Sequence, residues 1–140
     1  MRIAFVLLTH NPDEPAGIER SVAALAHGLR ELGHPTLIMA AGPATASDPD
    51  QLIRLTSLAL PRPAVEEDLA RLLFDPAPVT REVSGLLAEH RVDLVCWVDA
   101  VWGLGYLSPA PAGTATALMV HVPRTDAPLR QSLEPRRAGW

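Results

Sequence analysis

Hydrophobic positions alternate along this chain between two rhythms. Ile3, Ala4, Phe5, Val6, Leu7 and Leu8 form an unbroken apolar run, which suits a strand covered on both faces. A polar, proline-containing loop follows from Thr9 to Gly17. Apolar residues then return at Ile18, Val22, Leu25, Leu29 and Leu32, in the four- and three-residue steps that line one face of a helix. Gly33 and His34 close that helix, because glycine tolerates the left-handed cap conformation and a histidine there faces the negative helix end. Thr36 to Ala41 reads as a second short strand, stopped by Gly42 and Pro43. Ala44 to Gln51 carries no periodicity and reads as a loop to which no chemistry is assigned.

Further on, Ile53 to Leu60 mixes apolar and polar residues, as a partly exposed strand near a sheet edge does, and Pro61 and Pro63 end it. Val65, Leu69, Leu72 and Leu73 give one helical face, with Glu66, Glu67 and Asp68 in the first turn, where the helix dipole favours negative charge. Pro76 and Pro78 interrupt the pattern, and Val79, Val83, Leu86 and Leu87 restart it. Two helices, or one broken helix, are expected between Ala64 and His90. Leu94 to Val98 is a second dense apolar run suited to a central strand, introduced by Asp93 and followed by Asp99. Ala100 to Gly113 reads as a loop, and Ala115 to Val122 as a strand carrying His121 near its end. The order predicts an α/β fold: a Rossmann-like wound, mainly parallel sheet with helices on both faces and right-handed crossovers.

In such folds the loop after the first strand opens at the carboxyl edge of the sheet, and the next helix aims unpaired N–H groups there. Function is expected at that edge. Residues 1–122 form the predicted domain and 123–140 a C-terminal tail or short helix, with Arg124, Arg130, Arg136 and Arg137 solvated. The 140 residues carry a net charge of -4, and every basic residue is arginine. That balance disfavours nucleic acid as a partner. Cys96 lies alone in an apolar run, so it reads as a small buried hydrophobe and the compartment as reducing. No apolar run approaches the roughly 20 residues that span a bilayer. The expected location is cytoplasmic.

Several chemistries are excluded by what the first loop lacks. His10, Asn11, Pro12, Asp13, Glu14, Pro15, Ala16 and Gly17 contain one glycine, which is not the G-x-G-x-x-G turn of a dinucleotide fold. A P-loop needs a lysine that the chain does not have. A receiver-type domain needs a carboxylate cluster and a reactive lysine, and only Asp99 is suitably placed. His10, Asp13 and Glu14 match no strong metal spacing, and neither metal nor cofactor is expected.

The order of motifs resembles the opening of GT-B glycosyltransferases of the family-4 type. The resemblance rests on Arg2 to Leu8, then Pro15, Ala16, Gly17, Ile18, Glu19 and Arg20, then Leu25, Ala26 and Leu29 through Leu32, Gly33 and His34. Asp93, Leu94 and Val95 with Asp99 are similar to that family's Asp-Leu/Ile-Val-His strand, and Ala117 to Pro123 to the strand whose terminal histidine enters the cleft. What the resemblance implies is an incomplete single GT-B half, truncated or separately encoded. It would be the acceptor-side half of a retaining nucleotide-sugar-dependent glycosyltransferase, inactive without a C-terminal donor-binding domain.

On that resemblance His121 is the catalytic candidate beside the donor sugar. Ala16 and Gly17 belong to the donor-phosphate loop, with Ala16 standing where the family has the first glycine of a pair. Asn11, Asp99 and Trp102 fall on the acceptor side, and Glu19 braces the loop. The implied partners are a nucleotide-sugar donor, an acceptor and a separately encoded second domain. The alternative is a non-catalytic α/β binding or interaction module derived from the same fold. A further reading is self-association through an unpaired sheet edge.

Overall fold

The structure, a computed structural model, describes residues 1–13, 15–58, 77–98 and 110–119. Their elements in chain order are β1 (Ile3–Thr9), α1 (Gly17–Glu31), β2 (Thr36–Ala41), β3 (Leu52–Arg54), α2 (Ala77–Glu89), β4 (Leu94–Val98) and β5 (Ala115–Met119). The five strands form one sheet in the order β3-β2-β1-β4-β5, and every pairing is parallel. β1 lies at the centre between β2 and β4, which accounts for its unbroken apolar run: it is covered on both faces and paired on both edges.

The period of two along the strands sorts their side chains between two cores. Ile3, Phe5 and Leu7 pack with Ile38, Ala40, Cys96 and Val98 under Val22 and Ala26 of α1. Ala4 and Val6 pack with Met39, Val95 and Trp97 under Val79, Val83 and Leu87 of α2. Helices therefore cover both faces. The chain steps outward from β1 to β2 by way of α1, then returns across the sheet to β4 by way of α2 on the opposite face. Reversing both direction and face keeps the hand of the crossover the same.

Local geometry departs from the sequence expectation in four places. The buried face of α1 keeps only part of the expected stripe: Val22 is buried and Ile18 and Leu29 pack against the core, but Leu25 is 41% and Leu32 75% exposed, and Ala26 and Glu19 are buried in addition. The small Ala26 lets the helix lie close on the sheet, and Leu32 falls beyond the last helical turn. The end of α1 is a Schellman motif, with Gly33 at φ +82°, the Gly33 N–H donating to the Arg30 carbonyl and the His34 N–H to that of Leu29. The backbone of His34, rather than its ring, makes the cap, and its Nδ1 meets no hydrogen-bond partner among the described residues.

β3 is also shorter than expected, ending at Arg54. Immediately after it the N–H groups of Thr56 and Ser57 donate to the Glu82 carboxylate of α2 at 2.7 and 2.8 Å, instead of to a strand. Both hydroxyls donate to the same carboxylate, and Leu55 and Leu58 turn into the core. Finally, β1 runs one residue further than its apolar run, to Thr9, and its register against β2 shifts between Leu7 and Thr9. The expected helix over 64–76 and the expected tail over 123–140 lie outside the described residues.

Candidate functional site

The chain adds β2 on one side of β1 and later β4 on the other, which makes a topological switch point between β1 and β4, where the carboxyl ends of the neighbouring strands leave a crevice. An open crevice of about 120 Å³ lies there, lined by Leu7, Leu8 and Thr9 of β1, Val98 of β4, and Ala16, Ile18 and Glu19 at the start of α1. Its walls are mostly apolar. The first-turn N–H groups of Gly17 and Ile18 have no acceptor within the helix, because the first intrahelical bond runs from the Arg20 N–H to the Ala16 carbonyl at 2.9 Å. With the helix dipole they favour negative charge at this end. A Cβ placed on Gly17 meets nothing within 4 Å, so the backbone there stands open to an approaching group.

Glu19 organises the loop. Although it is a carboxylate it is only 4% exposed. It accepts hydrogen bonds from the Thr9 hydroxyl at 3.2 Å, the Asn11 N–H at 3.2 Å and the Ala16 N–H at 3.0 Å. The last of these is half of a capping box, in which the carboxylate three residues into a helix satisfies the N–H of the capping residue. Ala16, with no side-chain acceptor, leaves the reciprocal half unmade. The Asn11 side chain accepts from the Asp13 N–H at 3.2 Å, turning the loop locally.

A second polar cluster borders the loop from the other side. Arg54, the last residue of β3, donates from Nε and Nη2 to the two oxygens of Asp48 at 2.8 and 2.5 Å. Its Nη1 donates to the carbonyls of His10 at 2.7 Å and Ala41 at 3.0 Å. The Arg54 guanidinium holds the Asp48 carboxyl down to about 2, outweighing burial, with help from Thr45. For Glu82, burial pushes the carboxyl up, and its hydrogen bonds from Ser57 and Thr56 more than offset it, leaving the group below its ordinary value. Burial raises the Cys96 thiol.

Of the residues singled out in the sequence, Asn11, Ala16, Gly17 and Glu19 come together at this edge. His121, Asp99 and Trp102 lie outside the described residues, as does Glu14. Asp93, one of the strand motif's residues, is at the opposite edge, where its carboxylate accepts from the Arg2 N–H at 2.6 Å. Arg54 and Asp48 are not legible in the sequence as site residues. Their one signal there is an arginine closing a short apolar segment, and loop 44–51 reads as inert. Among the described residues no cluster of three or more His, Cys, Asp or Glu is placed to hold a metal ion, and no helix is long and apolar enough to cross a membrane.

No protein-family model matches the chain, and no curated protein matches it in sequence. A solved structure that is similar in fold is a sucrose-phosphate synthase from Thermosynechococcus elongatus, with a TM-score of 0.52 and 18% identity. The match covers 74% of this chain and 28% of that one, so this chain spans under a third of its neighbour's length. The described strands and helices thus form a Rossmann-like α/β unit whose fold is like that of part of this synthase.

Proposed function

We propose that this chain is the acceptor-side half of a retaining, nucleotide-sugar-dependent glycosyltransferase of the GT-B, family-4 type, and that it transfers sugar only when joined by a donor-binding domain. The observation that carries this reading is the switch-point crevice, into whose rim the first turn of α1 is set, within a fold like that of a sugar transferase. In this reading the N–H groups of Gly17 and Ile18 take oxygens of the donor diphosphate, as helix N-termini do for anions. His121 works beside the donor sugar, while Asn11, Asp99 and Trp102 shape the acceptor side. Glu19 touches neither substrate and keeps the loop in place.

The size of the crevice sets the division of labour. About 120 Å³ is well below the several hundred Å³ of a pocket enclosing a whole small-molecule ligand. The described residues therefore hold one group of the donor, and other surfaces hold the rest. Titrating the chain with pyrophosphate and with nucleoside diphosphates, while following the Gly17 and Ile18 amide resonances, tests this. Binding with a Kd of about 1 mM, worth roughly 4 kcal/mol, is the expected result. Unmoved resonances at saturating diphosphate refute it. For the catalytic claim, His121→Ala in the chain assembled with a donor domain is expected to abolish transfer.

A second reading is a non-catalytic binding or interaction module on the same fold. It is favoured by Ala16, which lines the crevice where the family pattern has glycine, and by the apolar walls. Turnover of a nucleotide sugar by the chain or its assembled complex rules that reading out.

A further inference from the structure

One peptide group in the site is held from both ends by opposite charges. The His10 carbonyl and the Asn11 N–H belong to the same peptide unit, and in a trans peptide they point to opposite sides. Arg54 Nη1 donates to that carbonyl at 2.7 Å, and Glu19 Oε2 accepts from that N–H at 3.2 Å. The cation therefore sits at the negative end of the peptide dipole and the anion at its positive end. Arg54 is in turn held by both oxygens of Asp48 and by the Ala41 carbonyl. Gly42, at φ +109°, leaves the space the guanidinium occupies, since a Cβ there would lie 3.2 Å from Nη1.

We propose that Arg54 is a positioning residue for the crevice, fixing the orientation of the His10–Asn11 peptide and through it the loop that leads into the first turn of α1. Glu19 lines the crevice, so the clamp keeps the N–H on the crevice side and the carbonyl on the Arg54 side. Without Arg54 the peptide can rotate. Its carbonyl oxygen then turns toward Glu19 and toward any anion in the crevice, and both repel it. Arg54 reaches the site from 44 residues away in sequence and touches no ligand itself.

The ligand arm of the test rests on the proposed diphosphate role of Gly17 and Ile18; the clamp does not. Amide hydrogen exchange in the full chain is measured for Asn11 and Ala16, with Val83 and Leu87 of α2 reporting global opening. Arg54→Gln is expected to speed exchange at Asn11 and Ala16 by roughly tenfold, the worth of one charge-assisted hydrogen bond, with α2 unchanged. Pyrophosphate, followed at Gly17 and Ile18, is expected to bind the same variant roughly tenfold more weakly. Arg54→Lys keeps the positive charge beside Asp48 but lacks the fork that spans Asp48 and two carbonyls at once, so it is expected to behave like Arg54→Gln.

Wild-type exchange at Asn11 and Ala16 in both variants overturns the proposal. So does full restoration in Arg54→Lys, which would reduce Arg54 to an ion pair. If wild-type protein binds pyrophosphate and Arg54→Gln binds it equally well, positioning fails while the diphosphate reading stands. If wild-type protein does not bind it, the diphosphate reading fails and exchange alone decides the clamp.

Discussion

Replacing Glu19 with alanine removes one acceptor and leaves three donors behind. The Thr9 hydroxyl can turn to water in the open crevice, so its loss costs little. The Asn11 and Ala16 N–H groups are fixed by the backbone, and each loses a hydrogen bond to a charged group at 3.2 and 3.0 Å. At those lengths about 1 kcal/mol apiece is the appropriate figure, below the range for short charge-assisted bonds and in that of an ordinary hydrogen bond. Removing a negative charge from the first turn of α1 adds about 0.5 kcal/mol. The total is about 2.5 kcal/mol, which for a domain of this length lowers the melting midpoint by roughly 5 to 10 °C.

Glu19→Gln keeps one acceptor oxygen but turns an amide NH₂ toward one of these donors, so about 1.5 kcal/mol is expected. Urea titration followed by circular dichroism reads both values, and an unchanged slope shows that the unfolded reference has not moved. A loss below about 0.5 kcal/mol for Glu19→Ala, the range of an ordinary surface change, refutes the account of how this loop is held. A Glu19→Gln variant as stable as wild type refutes the part assigned to the carboxylate.

Other positions separate stability from binding. Gly17→Ala adds a methyl that meets nothing in the chain, so stability is expected to rise by about 0.5 kcal/mol through helix propensity and a stiffer unfolded chain. Diphosphate binding is expected to fall; a lower melting midpoint with undiminished binding would contradict both halves. Gly42→Ala forces alanine to φ +109° and against Arg54 Nη1, and is expected to cost at least about 2 kcal/mol in urea unfolding. Acid should weaken the fold through Asp48 and Glu82, whose carboxyls titrate below their ordinary values of 3.8 and 4.5. Their contribution is complete above those values and is lost as pH falls toward about 2, where Asp48 protonates. Unfolding midpoints across that window should flatten in Asp48→Asn by about 1 kcal/mol, discounted for solvent screening.

The elements that rest on short-range pattern are legible in the order of residues. Ile3 to Leu8 mark a central strand because a doubly covered strand has no polar face to interrupt its apolar run. Val79, Val83 and Leu87 mark the buried stripe of α2 after the prolines. Pattern is less informative where size and partner matter more than hydrophobicity. In α1 the stripe holds at Ile18, Val22 and Leu29 but fails at Leu25 and Leu32, and close packing on the sheet adds Ala26 and a carboxylate, because Glu19 finds three donors waiting in the loop.

By itself, then, the sequence determined the alternation of strand and helix and the position of the loop with its glycine, since periodicity and backbone preference act over a few residues. It also marked the carboxyl edge as the place to look. Only the tertiary structure decided that β3 lies beside β2 and brings Arg54 to the His10 carbonyl, with Asp48 behind it and Gly42 making room. Hydrogen bonds between residues 44 positions apart depend on strand order and register. Those follow from burying both faces of the whole sheet at once, which no local stretch of the chain records.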